Sequence, residues 1–221
     1  MIKNIACLLV IVASAFPTSA QELYASANSN FYIPLGESAM QTFPVIHHDK
    51  DATPKFSAGG FGFGVTQFRP LFKKVFLELN AGLLKYKFWN TPMDFRDSNN
   101  QPLGVMNFAT VNYSLTFSGI AHYPLTERMS VGVGAGFQIA VISRSKIRDK
   151  SEIFSRAWVN NNHYKAVMPV IPIEILYRDE KKMYYSVNYT QAVLNQLRGD
   201  LAKYKSQNFG LLSVAVGRRI N

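Results

Sequence analysis

The sequence predicts an all-β protein: an eight-stranded antiparallel up-and-down barrel that crosses a membrane. Three observations predict it. Eight segments alternate apolar and small polar residues with a period of two. The connections between them are short and long in turn. The polar faces carry Gly, Ser, Thr and Asn, where a water-facing strand would carry Lys, Glu and Arg.

The chain of 221 residues opens MIKNIACLLVIVASAFPTSA. Lys3, an apolar run over 5–16 and the small residues before Gln21 form a secretory signal peptide cleaved after Ala20. The alternative is a buried N-terminal helix. Cleavage would leave one domain, residues 21–221, and lower the formal charge from +10 to +9 through loss of Lys3. Cys7 is the single cysteine, so the exported chain has neither disulfide nor thiol chemistry. A basic exported chain suits anionic lipid or acidic glycans, not nucleic acid. No later segment reaches the roughly 20 apolar residues of a spanning helix. A membrane form must therefore be a closed barrel.

The first strand covers 22–33. The second, 56–69, sets Gly60, Gly62, Gly64 and Thr66 against Phe61, Phe63 and Val65. The third covers 74–89. The fourth, 106–124, contains VNYSLTFSGIAHY, with Asn112, Ser114, Thr116 and Ser118 between apolar neighbours. The fifth, 129–147, sets Gly132, Gly134, Gly136 and Gln138 against Val131, Val133 and Phe137. The sixth, seventh and eighth cover 164–178, 183–193 and 208–220. Tight turns at 70–73, 125–128 and 179–182 alternate with long polar connections at 34–55, 90–105, 148–163 and 194–207. An even number of strands returns both termini to the side of the tight turns, which the barrel layout makes periplasmic.

Small polar residues suit the crowded interior of an eight-stranded barrel, so that face points in and the greasy face meets lipid. Trp89, Tyr123, Tyr177 and Tyr185 lie in the outward phase near strand ends and are candidates for interfacial girdles, although strand propensity alone also favours aromatics. Lys85 and Lys87 share the outward phase and would snorkel toward lipid phosphates. Basic turn residues, among them Lys73, Arg128 and Lys181, suit anionic headgroups or serve solubility.

With the signal peptide, the eight alternating strands and the final LLSVAVGRRIN in view, the chain resembles small OmpA/OmpX-like outer-membrane barrels, including the outer-membrane β-barrel domains of Bacteroidetes-type bacteria. The resemblance implies the outer membrane of a Gram-negative bacterium. It also implies partners in outer-membrane lipid, lipopolysaccharide and the barrel-assembly machinery, and extracellular ligands held by the loops. Such barrels include adhesins, structural anchors, narrow pores and a few enzymes, so likeness alone selects no function.

Ionisable residues in the inward phase are few. Glu78, Glu174, His122 and Arg219 are expected to form one charged layer near the periplasmic end, with Arg144 and Lys146 entering the lumen nearer the outer rim and Gln138 between. A salt-bridged network is the ordinary outcome for buried charge in a narrow barrel. A conduction gate or acid–base catalysis are the alternatives. The expected function is non-enzymatic and loop-borne, with a narrow pore as the second reading. A membrane-embedded hydrolase and a soluble lipocalin-like binder stand further off. No cofactor motif is present. HHDKD at 47–51 has metal-binding residue types, but neighbours on an extended segment point apart, so no metal is expected. Arg198-Gly199-Asp200 is a weak adhesion tripeptide, and Leu194, Leu197 and Leu201 have the spacing of a short helix.

Overall fold

The computed structural model describes residues 22–35, 59–72, 74–89, 93–96, 101–149, 158–160, 165–195 and 208–220. The signal peptide, HHDKD, the Arg-Gly-Asp tripeptide and the helix expected at 194–201 lie outside or run beyond these residues.

Strands β1 (Glu22–Leu35), β2 (Gly59–Phe72), β3 (Val75–Trp89), β5 (Pro102–Pro124), β6 (Met129–Asp149), β8 (Val167–Arg178), β9 (Met183–Ala192) and β10 (Asn208–Arg219) form the barrel wall. Each pairs antiparallel with its chain neighbour in this set, and β1 pairs with β10 from Tyr24↔Arg219 to Leu35↔Asn208. That last pairing closes the sheet and removes its edges. All eight are the strands expected from the alternation. Two short strands were not expected. β4 (Met93–Arg96) pairs with β5, and β7 (Trp158–Asn160) pairs with β6. Both lie in segments read from sequence as irregular loop. There β5 and β6 run on together to Met106↔Asp149, and their free outer edges offer backbone partners.

The turn end is tight. Between β5 and β6 the amides of Leu125 and Thr126 both donate to the Met129 carbonyl, at 2.8 and 3.1 Å, and Thr126 Oγ1 accepts from the Met129 amide at 3.0 Å. Between β8 and β9 the Asp179 amide donates to the Met183 carbonyl at 2.8 Å, and Lys182 turns the chain at a φ of 62°.

Burial is inverted relative to a water-soluble protein. Asn30, Thr66, Glu78, Ser114, His122, Gln138, Glu174 and Ser186 are buried, while Phe61, Phe63, Val131, Val133, Phe137, Ile173, Ile175, Val187 and Val214 are exposed. The exposed residues are the outward phase of consecutive strands, so they form a continuous apolar wall. From Val131 to Val141 it spans about 25 Å along the barrel axis at ordinary strand rise and tilt. A wall of that extent calls for lipid, since water-exposed apolar patches on monomers are far smaller.

The lumen is filled in layers. At the turn end Tyr24, Phe68, Phe76, Leu176 and Tyr184 pack together, with Tyr24, Phe68 and Tyr184 in mutual edge-to-face contact at 5.3–5.6 Å. Toward the loops Leu84, Tyr86, Met168, Val170, Ala192, Phe209 and Leu211 form a second buried layer. A cavity of about 130 Å³ with a mixed lining lies between; its polar members include Asn28, Asn80, Thr116, Ser118, Glu174 and Ser213.

One local irregularity re-aims a predicted segment. In the β5–β6 ladder Tyr113 pairs with Ile142 but Ser114 pairs with Ala140, leaving Val141 as a bulge. The bulge shifts the phase of everything beyond it. Ser143 takes the inward side opposite Asn112, and Arg144 falls opposite outward-facing Val111 with an exposed side chain. The expectation that Arg144 enters the lumen is corrected accordingly. Lys146 stands opposite Ala109 in the same ladder. A period-two count carried across one extra residue puts every later side chain on the wrong face.

Candidate functional site: a buried Glu-His-Glu cluster

The strongest concentration of chemistry in the lumen rests on three strands. Glu78 comes from β3, His122 from β5 and Glu174 from β8. His122, Gly132 and Glu174 occupy one row across β5, β6 and β8, in the pairs His122↔Gly132 and Gly132↔Glu174. Gly132 makes the reach across β6 feasible. A Cβ there would come within 2.8 Å of the imidazole and 2.7 Å of Ile120 Cγ2. The imidazole lies in the space a side chain would otherwise fill.

His122 Nε2 lies 2.8 Å from Glu78 Oε2 and 3.5 Å from Glu174 Oε2. All three residues are essentially without solvent exposure. Ser130 Oγ lies 3.3 Å from His122 Nδ1, and the imidazole stacks on Phe76 at 4.9 Å with planes 3° apart. The other oxygen of Glu78, Oε1, accepts from Asn80 Nδ2 at 2.7 Å. Thr66 Oγ1 donates to Asn80 Oδ1 at 2.7 Å and lies 2.8 Å from Tyr184 Oη. A polar chain therefore runs from Tyr184 on β9 through Thr66, Asn80, Glu78 and His122 to Ser130 on β6. Burying this much charge is tolerable only because its members partner one another.

Arg219 is not in this cluster. It keeps the inward phase opposite Tyr24, but its Nη1 pairs with Glu22 Oε1 at 2.9 Å at the rim. Arg178 Nη1 approaches the other Glu22 oxygen at 3.8 Å, and its guanidinium sits 4.4 Å over the Phe76 ring. The aromatic layer separates the rim from the cluster, so the one charged layer expected from sequence is two. Arg178 belongs by sequence to the basic turn residues suited to anionic headgroups, and Glu22 carries no signal of its own beside the chain terminus; the structure turns both to the rim pair. Gln138 lies in the loop-side layer, where Nε2 donates to Tyr86 Oη at 3.0 Å and to Ser114 Oγ at 3.1 Å.

On the outer wall Tyr123 and Tyr185 are exposed near the turn end, and Tyr177 pairs with Tyr185 at a ring separation of 6.3 Å. All three stand next to the tight turns. Trp89 closes β3 at the opposite end, across from Ala109. The Lys85 ammonium sits 5.4 Å from the Phe61 ring and 5.5 Å from the Tyr113 ring, so two aromatic faces hold that cation against the wall.

No protein-family model matches the chain, and no curated protein sequence matches it significantly. Similar solved structures include small outer-membrane barrels. Neisserial surface protein A is 11% identical, with a TM-score of 0.48, over 90% of this chain and 97% of that one. Ail, the attachment invasion locus protein of Yersinia pestis, is 11% identical with a TM-score of 0.44, over 90% and 98%. The N-terminal β-barrel domain of Pseudomonas aeruginosa OprF is 13% identical with a TM-score of 0.39, over 90% and 97%. The barrel assignment itself rests on this chain's own strand pairing.

Proposed function

We propose that this chain is a sealed, non-enzymatic barrel of a Gram-negative outer membrane that acts through the segments at its loop end. The observation that carries the reading is a lumen filled at two levels by buried apolar layers, inside a wall whose outer face is apolar. Residues 1–20 would direct export, the tight turns would face the periplasm, and the barrel-assembly machinery would insert the wall. Lipid and lipopolysaccharide are the partners of the outer face, with Tyr123, Tyr177, Tyr185 and Trp89 at its margins and Lys85 beside the phosphates. Binding or adhesion falls to the long connections, because loops on a rigid scaffold are where recognition usually sits. The non-enzymatic reading takes the buried Glu-His-Glu cluster as part of the lumen packing.

The lumen cavity keeps a narrow pore as the second reading. Bilayer recording separates the two. The purified protein should show no unitary conductance, and grafting loops 36–58 and 196–207 onto an inert barrel should transfer its surface binding. Stable channels in the wild type would replace the sealed-anchor reading with the pore.

A further inference from the structure

Glu78 Oε2, His122 Nε2 and Glu174 Oε2 converge from three strands, all within 4.8 Å of one another. His122 Nε2 and Glu78 Oε2 touch at 2.8 Å as an ion pair without hydrogen-bond alignment, and Glu174 Oε2, 3.5 Å away, has no hydrogen-bond partner, although all three atoms are buried. Their remaining polar atoms are better served. Asn80 takes up Glu78 Oε1, and Ser130 stands at His122 Nδ1. With Ser130 accepting the Nδ1 proton, Nε2 presents its lone pair to two carboxylate oxygens, an arrangement that a cation between them would stabilise. The charges agree. Two carboxylates in a low-dielectric interior call for two positive charges, and one imidazolium supplies a single one.

We infer that Glu78, His122 and Glu174 form a binding site for a divalent transition-metal ion. One nitrogen and two carboxylate oxygens suit zinc, with metal–ligand distances near 2.0–2.2 Å. Ligand atoms on a tetrahedral zinc lie about 3.3 Å apart. Binding would therefore open the 2.8 Å contact of Glu78 Oε2 with His122 Nε2 slightly, keep the 3.5 Å one to Glu174 Oε2 nearly as it is, and draw the two carboxylates together from within 4.8 Å. The neighbouring cavity supplies water for the fourth position. The ion would tie β3, β5 and β8 together across the lumen. Because buried layers fill the barrel on either side, it would be captured during folding and leave slowly.

The test is metal content. Full-length protein is purified from membranes, and a second batch is unfolded in urea and refolded in detergent with zinc or with EDTA. After gel filtration, zinc is measured by mass spectrometry. The expected result is about one zinc per chain in the membrane-purified and zinc-refolded protein. His122→Gln and Glu174→Gln should lose it while keeping a heat-modifiable band, and a His47→Ala/His48→Ala double variant should retain it. Zinc that survives His122→Gln but disappears with the His47/His48 pair would overturn the assignment in favour of the loop. Absence of bound zinc in the wild type would overturn it outright and leave a proton-shared ion pair. If the lumen variants do not fold, refolding the wild type with cobalt(II) decides. Visible d–d bands support the site, and a colourless product without bound cobalt rejects it.

Discussion

At the scale of single residues, Gly132 carries more of the lumen than its size suggests. It lets the His122 ring cross β6 to Glu174 because nothing projects from its own Cα. Gly132→Ala should therefore destabilise the folded barrel by about 1–3 kcal/mol, the usual cost of overpacking a tight interior. Urea titration of the folded band in detergent measures it. Gly119→Ala is the control. It points outward, its added methyl would meet Leu79 no closer than 3.5 Å, and its unfolding midpoint should not move. The alternation made both glycines visible and assigned their faces. It did not say that one of them houses an imidazole, because that depends on which side chain the facing strand presents at the same level.

Single residues also report which solvent meets the wall. Phe137 is 54% exposed on β6, midway along the wall from Val131 to Val141. On a water-soluble protein an arginine there would be nearly neutral. On a lipid-facing wall near the membrane midplane it should cost about 2–4 kcal/mol, read as a lowered midpoint of unfolding from liposomes. No change would mean that the wall faces water and would send the search to the lumen for an apolar ligand.

At the scale of elements, the bulge at Val141 decides what the outer half of β6 presents. In the chain from residue 21 onward there is no native cysteine. Single cysteines at positions 143 and 144 can therefore be compared by maleimide labelling of the folded protein. Arg144→Cys should label readily and Ser143→Cys should resist until the protein is unfolded. The reverse would place the register as a regular strand would have it. The bulge has no strong signal in the sequence. Ala140-Val141-Ile142 is a smooth apolar run, and only the pairing of β6 with β5 shows which residue is left out. The same holds for β4 and β7, which are too short to show a period and exist because extended neighbours offer free edges.

At the scale of the whole molecule, the barrel combines an apolar exterior, two buried layers and a charged cluster between them. The closed circuit from β1 to β10 makes that arrangement rigid. The eight wall strands, their order, their faces up to the bulge at Val141 and the alternation of short and long connections are legible in the sequence, because the pleat has a period of two and each connection length records its turn. The inward assignment of Glu78, His122, Glu174, Arg219 and Gln138 followed from the same period. Tertiary structure decided the rest. It brought Glu78, His122 and Glu174 within reach of one another, drew Arg219 away to Glu22, and turned Arg144 outward. These outcomes depend on strand stagger and on one unpaired residue, quantities set by contacts between segments distant in the chain and therefore invisible to any pattern read along it.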